Sequence, residues 1–505
     1  MTLTPFPFFC ADRNAGRAST SLESTMSKQP PRAAARLLPL AIALALIAPF
    51  AHAEEPPTVE ALAARLKALE ARLGVSSDAA DAEGLASLDQ RLRVIERKLE
   101  LQAEEAAAKA AKDPVVSLTP AKGLSVKSPD GLEFKLRGLI QADSRVFTGD
   151  DRVPQNDTFL LRRVEPTLEG TWGSLAAFRI QAQLAGDTAT LNDAYVDLKF
   201  DPRATVRIGK FKQPVGLEQL QPSGSLAAVE RGLPTELTPA RDYGVQLQGE
   251  FREGSLGYAV GVFNGTVDGR DAISGNPDNE LEYAGRVFWE PFKNSANAFS
   301  GLGFGVAASV GDTFGNGNNF LPRYRTPGQA QFFAFNANVN ADGLHRRFSP
   351  QGYFYRGRYG LLGEYITSEQ EVRVTSGINN GRRDHLENDA YQVTASVVLT
   401  GEDAGYRGVA KPNHPFTADG AGWGAFELVG RIGELNIDDD AFPLFANVAA
   451  SARSAKAWTV GVNWYLNNNF KLVTNFTKTT FEGGAAAGAD REDETSIFTR
   501  AQFSF

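Results

Sequence analysis

The sequence predicts an all-β transmembrane barrel of about 16 antiparallel strands, preceded by a signal peptide and a short N-terminal periplasmic coiled-coil helix. Three observations lead there. Beyond Leu132 the hydropathy alternates with a period of two. The alternating segments run to roughly ten to fifteen residues, longer than the roughly five or six of a typical soluble strand. The chain ends SIFTRAQFSF, on a bare aromatic ring where the last residues of a soluble domain usually fray into water.

Composition narrows the alternatives. Hydrophobic residues make up 42% of the 505 positions and charged residues 22%, so the chain is neither a disordered tail nor a bundle of membrane helices. A single Cys, Cys10, excludes a disulfide framework or a cysteine metal cluster.

One apolar run could be mistaken for a membrane helix. From Met26 the text reads MSKQPPRAAARLLPLAIALALIAPFAHAEE, with Lys28, Arg32 and Arg36 as a basic start, Leu37 to Phe50 as the apolar run and Ala51-His52-Ala53 as a cleavage box. Residues 26–53 are therefore expected to be a signal peptide. Met26 is the expected start, 1–25 an upstream artefact, and the mature chain begins near Glu54.

Residues 54–112 have another rhythm. Leu62, Leu66, Leu69 and Leu73, then Leu85, Leu88, Leu92, Ile95 and Leu99, step by three and four with charged residues between them. That is the seam of a short coiled coil, too short to be stable alone and strengthened by association with copies of itself. Residues 113–131, with Pro114, Pro120 and Pro129, read as a linker to the barrel at 132–505.

In LEFKLRGLIQADSRVF the even positions from Phe134 to Val146 are apolar or small, while most odd positions from Glu133 to Arg145 are polar. Side chains on a strand alternate between its faces, so one face meets lipid and the other water. The pattern recurs in SLAAFRIQAQLAG, AYQVTASVVLTGE and AKAWTVGVNWYLN. Trp172, Phe200, Trp289 and Tyr465 fall at strand ends, where interfacial aromatic girdles are expected. Segmentation gives about seventeen strands. Bacterial barrels are even-stranded, and the segment at 330–340 is the one to drop, leaving sixteen. In the terminal IFTRAQFSF, Ile497, Phe503 and Phe505 face lipid while Arg500 and Gln502 face inward, so the last strand can close on the first.

A barrel of this size leaves an aqueous channel. Over 132–505 there are 36 Lys and Arg against 44 Asp and Glu, so net charge does not set selectivity. Cation type is more informative: 27 of the 36 are Arg, whose planar fork matches oxyanions. Strand parity aims Arg137, Arg163, Arg179, Arg286, Arg431 and Arg500 inward, where they either meet anions or pair with acids such as Glu165, Asp197 and Glu427. The long gap between Lys212 and Asp242, containing Glu230, Arg231 and Arg241, is expected to fold into the lumen and narrow it.

The stretches FLLRRVEPTLEG, LNDAYVDLKF, VRIGKFKQPVGLEQL, AVERGLP, YRTPGQ, GLLGEYI, YQVTASVVLTGE and TVGVNWYLNNNFKLVTNF resemble, in that order, the phosphate-selective porin O and P family. The resemblance implies a trimeric outer-membrane porin with inward-folded loops and an arginine ladder that conducts phosphate or polyphosphate. Carried over by motif, the ladder includes Arg162, Arg163, Arg231, Arg323 and Arg325, and Asp193 matches an acid that limits the dwell of the anion. Nine Lys in the barrel are few for a lysine-rich funnel. The terminal Phe505 is similar to the signal read by barrel-assembly machinery. No cofactor and no nucleic-acid partner is implied.

Two other readings compete. A general or oligosaccharide porin would use Tyr243, Tyr355 and Tyr359 for stacking. A barrel enzyme would need a base beside a nucleophile, and His345, His385 and His414 fall near expected loops without a serine motif.

Overall fold

The computed structural model describes residues 85–110, 113–119, 123–148, 155–186, 188–269, 278–316 and 319–505, with single positions at 64, 67, 68 and 276. The expected signal peptide and the first leucine block lie outside the described residues. The chain divides into two compact units between Glu105 and Ala106. In helix α1 (Leu85–Ala110), Leu92 is buried and Ile95 and Leu99 are half-buried, while Arg93, Arg97 and Lys98 are exposed. Among the described residues no helix is long and apolar enough to cross a membrane.

The second unit is built from strands. The stretch read as a linker carries a hairpin instead, β1 (Val115–Thr119) and β2 (Gly123–Lys127). The wall follows as β3 (Leu132–Phe147), β4 (Thr158–Trp172), β5 (Ala176–Gln183), β6 (Thr190–Asp201), β7 (Ala204–Lys212), β8 (Arg241–Phe251), β9 (Leu256–Phe263), β10 (Glu282–Trp289) and β11 (Leu302–Phe314). It continues, after the short pair β12 (Arg323–Arg325) and β13 (Gln331–Ala334), as β14 (Val339–Arg356), β15 (Tyr359–Val374), β16 (Arg383–Val398), β17 (Ala425–Asn436), β18 (Ala452–Tyr465), β19 (Phe470–Gly483) and β20 (Glu494–Ser504). Each wall strand pairs antiparallel with the next, and β20 pairs with β3 from Ser496↔Phe147 to Ser504↔Leu139. The ring therefore closes with sixteen strands. The segment at 330–340 contributes only β13 and the start of β14, and β13 pairs with β12 outside the wall.

Burial is inverted relative to a soluble protein. Ile140, Ile208, Val260, Val306, Ile432 and Val460 are exposed on the outside, whereas Gln141, Asp143, Arg347, Asn463 and Arg500 are almost wholly buried inside. This is the pattern of a wall with lipid outside and polar groups within. Trp172, Phe200 and Trp289 are exposed at the end bearing the short turns, as a girdle requires. Tyr465 is not part of that girdle: it points inward and its hydroxyl donates to Glu427 at 2.8 Å. Its parity with Asn463 on β18 decides this.

At the seam, Phe505 N donates to Gly138 O and Gly138 N to Phe505 O, both at 3.0 Å. The ring packs directly over Gly138, where a Cβ would meet it at 2.5 Å and displace it. Beyond this point β3 outruns β20, and β2 takes the vacated edge from Leu124↔Leu136 to Lys127↔Glu133. The hairpin thus extends the wall below the carboxyl terminus.

The lumen is not an open tube. Loops turn inward and build an apolar core against the wall, with Phe211, Leu233, Leu237, Phe263, Phe332, Phe333 and Phe445 among its members. Water-accessible space is left along β3 to β8 and beside β19 and β20.

Candidate functional site

The segment 213–240 leaves β7 and returns at β8 after crossing the lumen. Its α-helical turn α2 (Leu217–Leu220) is capped by the Glu364 carboxylate of β15, which accepts from Leu217 N at 2.6 Å. It then runs along β20, β3, β19 and β18. There Gln141 donates to Ser223 O at 3.2 Å, Gln502 to Gly224 O at 2.9 Å, Lys471 to Leu226 O at 3.1 Å and Asn463 to Ala227 O at 2.9 Å, while Asn475 accepts from Val229 N at 2.5 Å. Inward amides, barred from lipid, thus satisfy loop backbone groups that would otherwise be orphaned. Gly232 lies so close to the wall that a Cβ would meet Gln392 Oε1 at 1.8 Å. A second long segment, 399–424, props the loop from the short-turn end: the Tyr406 hydroxyl donates to Leu217 O at 2.5 Å, and its ring stacks on Tyr353.

Two β-bulges load this level with charge. Between β3 and β4 the register shifts at Gln141/Ala142, pairing Gln141 with Arg163 and Ala142 with Leu161, so Arg162 is the extra residue. Neighbours in sequence then both face inward, a re-aiming that bulges permit. Arg163 Nη1 donates to Gln141 Oε1 at 2.8 Å and its Nε lies 3.8 Å from Glu165; Arg162 Nε donates to Glu230 at 2.8 Å. Between β5 and β6 a second shift makes Asn192 the extra residue, and Asn192 and Asp193 both face the lumen. Asn192 donates to Glu165 at 3.3 Å. Asp193 accepts from Arg179 at 3.2 Å and Arg241 at 2.6 Å.

Most inward arginines have carboxylate partners. Arg500 forks onto Asp143 at 2.6 and 2.8 Å, Arg431 lies 3.3 Å from Glu218, Arg207 binds Asp197 at 2.7 Å, and Arg137 and Arg179 share Glu169. Glu427 instead takes Asn463 and Tyr465. Three cations at the level of this loop, Arg231, Lys212 and Lys471, make no ion pair among the described residues. Arg231 Nη2 and Lys212 Nζ both donate to the same carbonyl oxygen, that of Gln221, at 2.9 and 3.0 Å. Burial pushes the Arg231 guanidinium down to about 10, with Arg241 and Arg162 adding repulsion and Glu218 and Glu230 opposing it. Arg286 donates to Gln351 at 3.0 Å and lies over the Phe288 ring.

Below the loop is a cavity of about 660 Å³. Arg137, Arg179, Arg207, Lys212, Arg241, Arg407 and Lys471 line it, opposed by Glu165, Glu169 and Asp193. Arg323 and Arg325 are elsewhere, on the β12 hairpin, where Arg325 N donates to Glu236 of the 213–240 segment at 2.9 Å. Tyr243 and Tyr359 face outward, leaving Tyr355 alone of the three tyrosines inside. His345 is on β14 rather than in a loop, buried against Asp268 and Ser368 at 3.3 Å each; His385 opens β16, and His414 lies in the 399–424 loop. Ser368 donates to Asp268 at 2.6 Å, so its proton is already committed to the carboxylate.

The alternation does not single out Lys212 or the anchoring Gln, Asn and Lys residues as a set. The available signal is polar doublets: Arg162-Arg163 and Asn192-Asp193 each break a strict alternation and mark the bulges.

A family profile of phosphate-selective porin O and P matches residues 134–505. The chain is 24% identical over 416 residues to Porin O of Pseudomonas aeruginosa, covering 76% of this chain and 91% of that protein. Among solved structures it is similar to the outer membrane channel DcaP of Acinetobacter baumannii (10% identity, TM-score 0.47, 75% of this chain and 99% of that one). It is also similar to an anion-selective porin from Comamonas acidovorans (13%, 0.46, 74% and 100%). With its closed sixteen-stranded wall and a profile match that spans nearly all of it, the chain belongs to the phosphate-selective porin O and P family.

Proposed function

We propose that this outer-membrane porin is a passive channel preferring anions, with phosphate or polyphosphate as cargo, and that Arg163, Arg231 and Lys212 form its selective constriction, with Arg162 beside them on Glu230. The observation that carries this reading is the convergence of Arg231 and Lys212 on one carbonyl oxygen with no carboxylate at ion-pair distance among the described residues. A desolvated cation held by neutral carbonyls still attracts an oxyanion, and the guanidinium offers it a fork. Arg137, Arg179, Arg207 and Arg241 continue the path below, each offset by an acid, which favours weak successive sites over one tight clamp. Membership of the phosphate-selective porin O and P family supports the phosphate assignment. Arg286, Arg323 and Arg325 are proposed to act nearer the wall and the upper loops.

The abundance of paired acids favours a second reading, a weakly selective general porin on the same scaffold. Reversal potentials and phosphate block of chloride current in planar bilayers separate the two. Anion preference and phosphate block, both reduced by Arg231→Ala and Arg163→Ala, are expected; a current carried mainly by cations and indifferent to phosphate refutes the proposal. We also propose that the leucine-seamed helix lies in the periplasm and supports a homotrimer, and that Phe505 is the handle for barrel assembly.

A further inference from the structure

The constriction loop brings its own anion into the wall. Glu230 Oε1 accepts from Arg145 Nη2 at 2.9 Å, Arg162 Nε at 2.8 Å and Arg500 Nη2 at 3.0 Å, and Oε2 accepts from Arg162 Nη2 at 3.3 Å. Three guanidiniums from β3, β4 and β20 thus surround one carboxylate that is only 3% exposed, the environment an oxyanion cargo would want. Asp143 takes two of the same three, Arg145 and Arg500.

The loop does not depend on Glu230 for its position. Gln141, Gln502, Lys471, Asn463 and Asn475 hold its backbone from Ser223 to Val229. Glu218 holds Gly232 N at 2.7 Å while paired with Arg431, and Glu364 caps Leu217. With so many other tethers on either side, the charge of Glu230 is left with an electrostatic task.

We infer that Glu230 is a built-in counter-anion that sets the channel's selectivity by occupying three wall arginines, so that a passing anion is attracted mainly by Arg163, Arg231 and Lys212. The inference rests on the reading that the cargo is an anion. Its rationale is the conduction trade-off: a site must attract an ion yet release it, and three uncancelled guanidiniums beside the inward loop would hold phosphate too long. Burial pushes the Glu230 carboxyl up, but Arg162 and Arg500 outweigh it and hold it well below the usual carboxylate range, so the counter-charge is permanent at ordinary pH.

The test is Glu230→Gln, which keeps shape and removes charge, recorded in planar bilayers with potassium chloride gradients and inorganic phosphate as blocker. Expected are a reversal potential shifted toward the anion limit, phosphate block tightened about tenfold, the scale of one charge-assisted hydrogen bond, and a lower saturating phosphate current. Glu230→Asp should stay close to wild type. The double variant Glu230→Gln/Arg145→Gln, with the net charge restored, should return toward wild type, and it carries the test if the single variant does not insert. A larger current with unchanged reversal potential in Glu230→Gln, or a double variant worse than the single, would show a mechanical tether and overturn the inference. The two readings fail separately: a cation-preferring wild type refutes the anion channel, while a shift of Glu230→Gln toward anions in that background still supports the counter-anion.

Discussion

The closure seam offers the most direct test of the barrel. Arg500 on the last strand is 2% exposed and forks onto Asp143 of the first strand, with further bonds to Glu230 and the Val229 carbonyl. Removing one partner of a buried ion pair typically costs about 3–5 kcal/mol because the other charge is left uncompensated. Here Arg145 remains 2.9 Å from both Asp143 and Glu230, and Arg162 stays on Glu230, so neither acid is abandoned. The expected cost of Arg500→Ala is therefore below that range, about 2–3 kcal/mol. Arg500→Met/Asp143→Asn, which removes the pair together and keeps volume, should fall within about 1 kcal/mol of wild type. The assay is reversible urea unfolding of the barrel refolded into lipid vesicles, followed by tryptophan fluorescence, with five Trp in the chain as reporters. An Arg500→Ala barrel as stable as wild type, or a double variant less stable than the single one, would refute the claim that an ion pair latches the seam.

Other expectations follow from the same geometry. Deleting Phe505 removes two backbone hydrogen bonds to Gly138 and the ring that covers it, together about 3 kcal/mol, and should lower the inserted fraction measured by heat-modifiable mobility. Because the Glu230 carboxyl is held down, its charge is present above the usual carboxylate range and lost only as pH falls through its depressed value. The difference in reversal potential between wild type and Glu230→Gln should therefore be constant from about pH 8 to 5 and vanish only well below about 4.3. Deleting Arg162 should remove the bulge while preserving strand order, seen as an unchanged β circular-dichroism spectrum with weaker anion preference. Removal of residues 54–112 should leave single-channel conductance intact and weaken the oligomer in native mass spectrometry.

The wall was readable because a period of two is a local property: Ile497, Phe503 and Phe505 against Arg500 and Gln502 declare their faces without any partner strand. Strand number followed from length and evenness, and the rejected segment at 330–340 indeed adds no wall strand of its own, its short β13 pairing with β12 instead. Chemical class misled where parity did not: Tyr465 looks like a girdle residue, yet it shares the inner face with Asn463. Long-range facts were beyond reach. Nothing near Glu230 in the sequence indicates Arg145, Arg162 and Arg500, which are 68 to 270 positions away, and nothing in 113–131 announces a hairpin whose edge is offered only by a β3 that outlasts β20. The 399–424 segment hid its role because its anchor, Tyr406 on Leu217, joins opposite ends of the pore.

The paired bulges have an evolutionary corollary. An inserted residue at Arg162 or Asn192 adds a second lumen-facing group at one height and leaves the oily exterior in register above and below. A lineage can thus retune what passes through the pore by single-codon insertions, without renegotiating its fit to the bilayer.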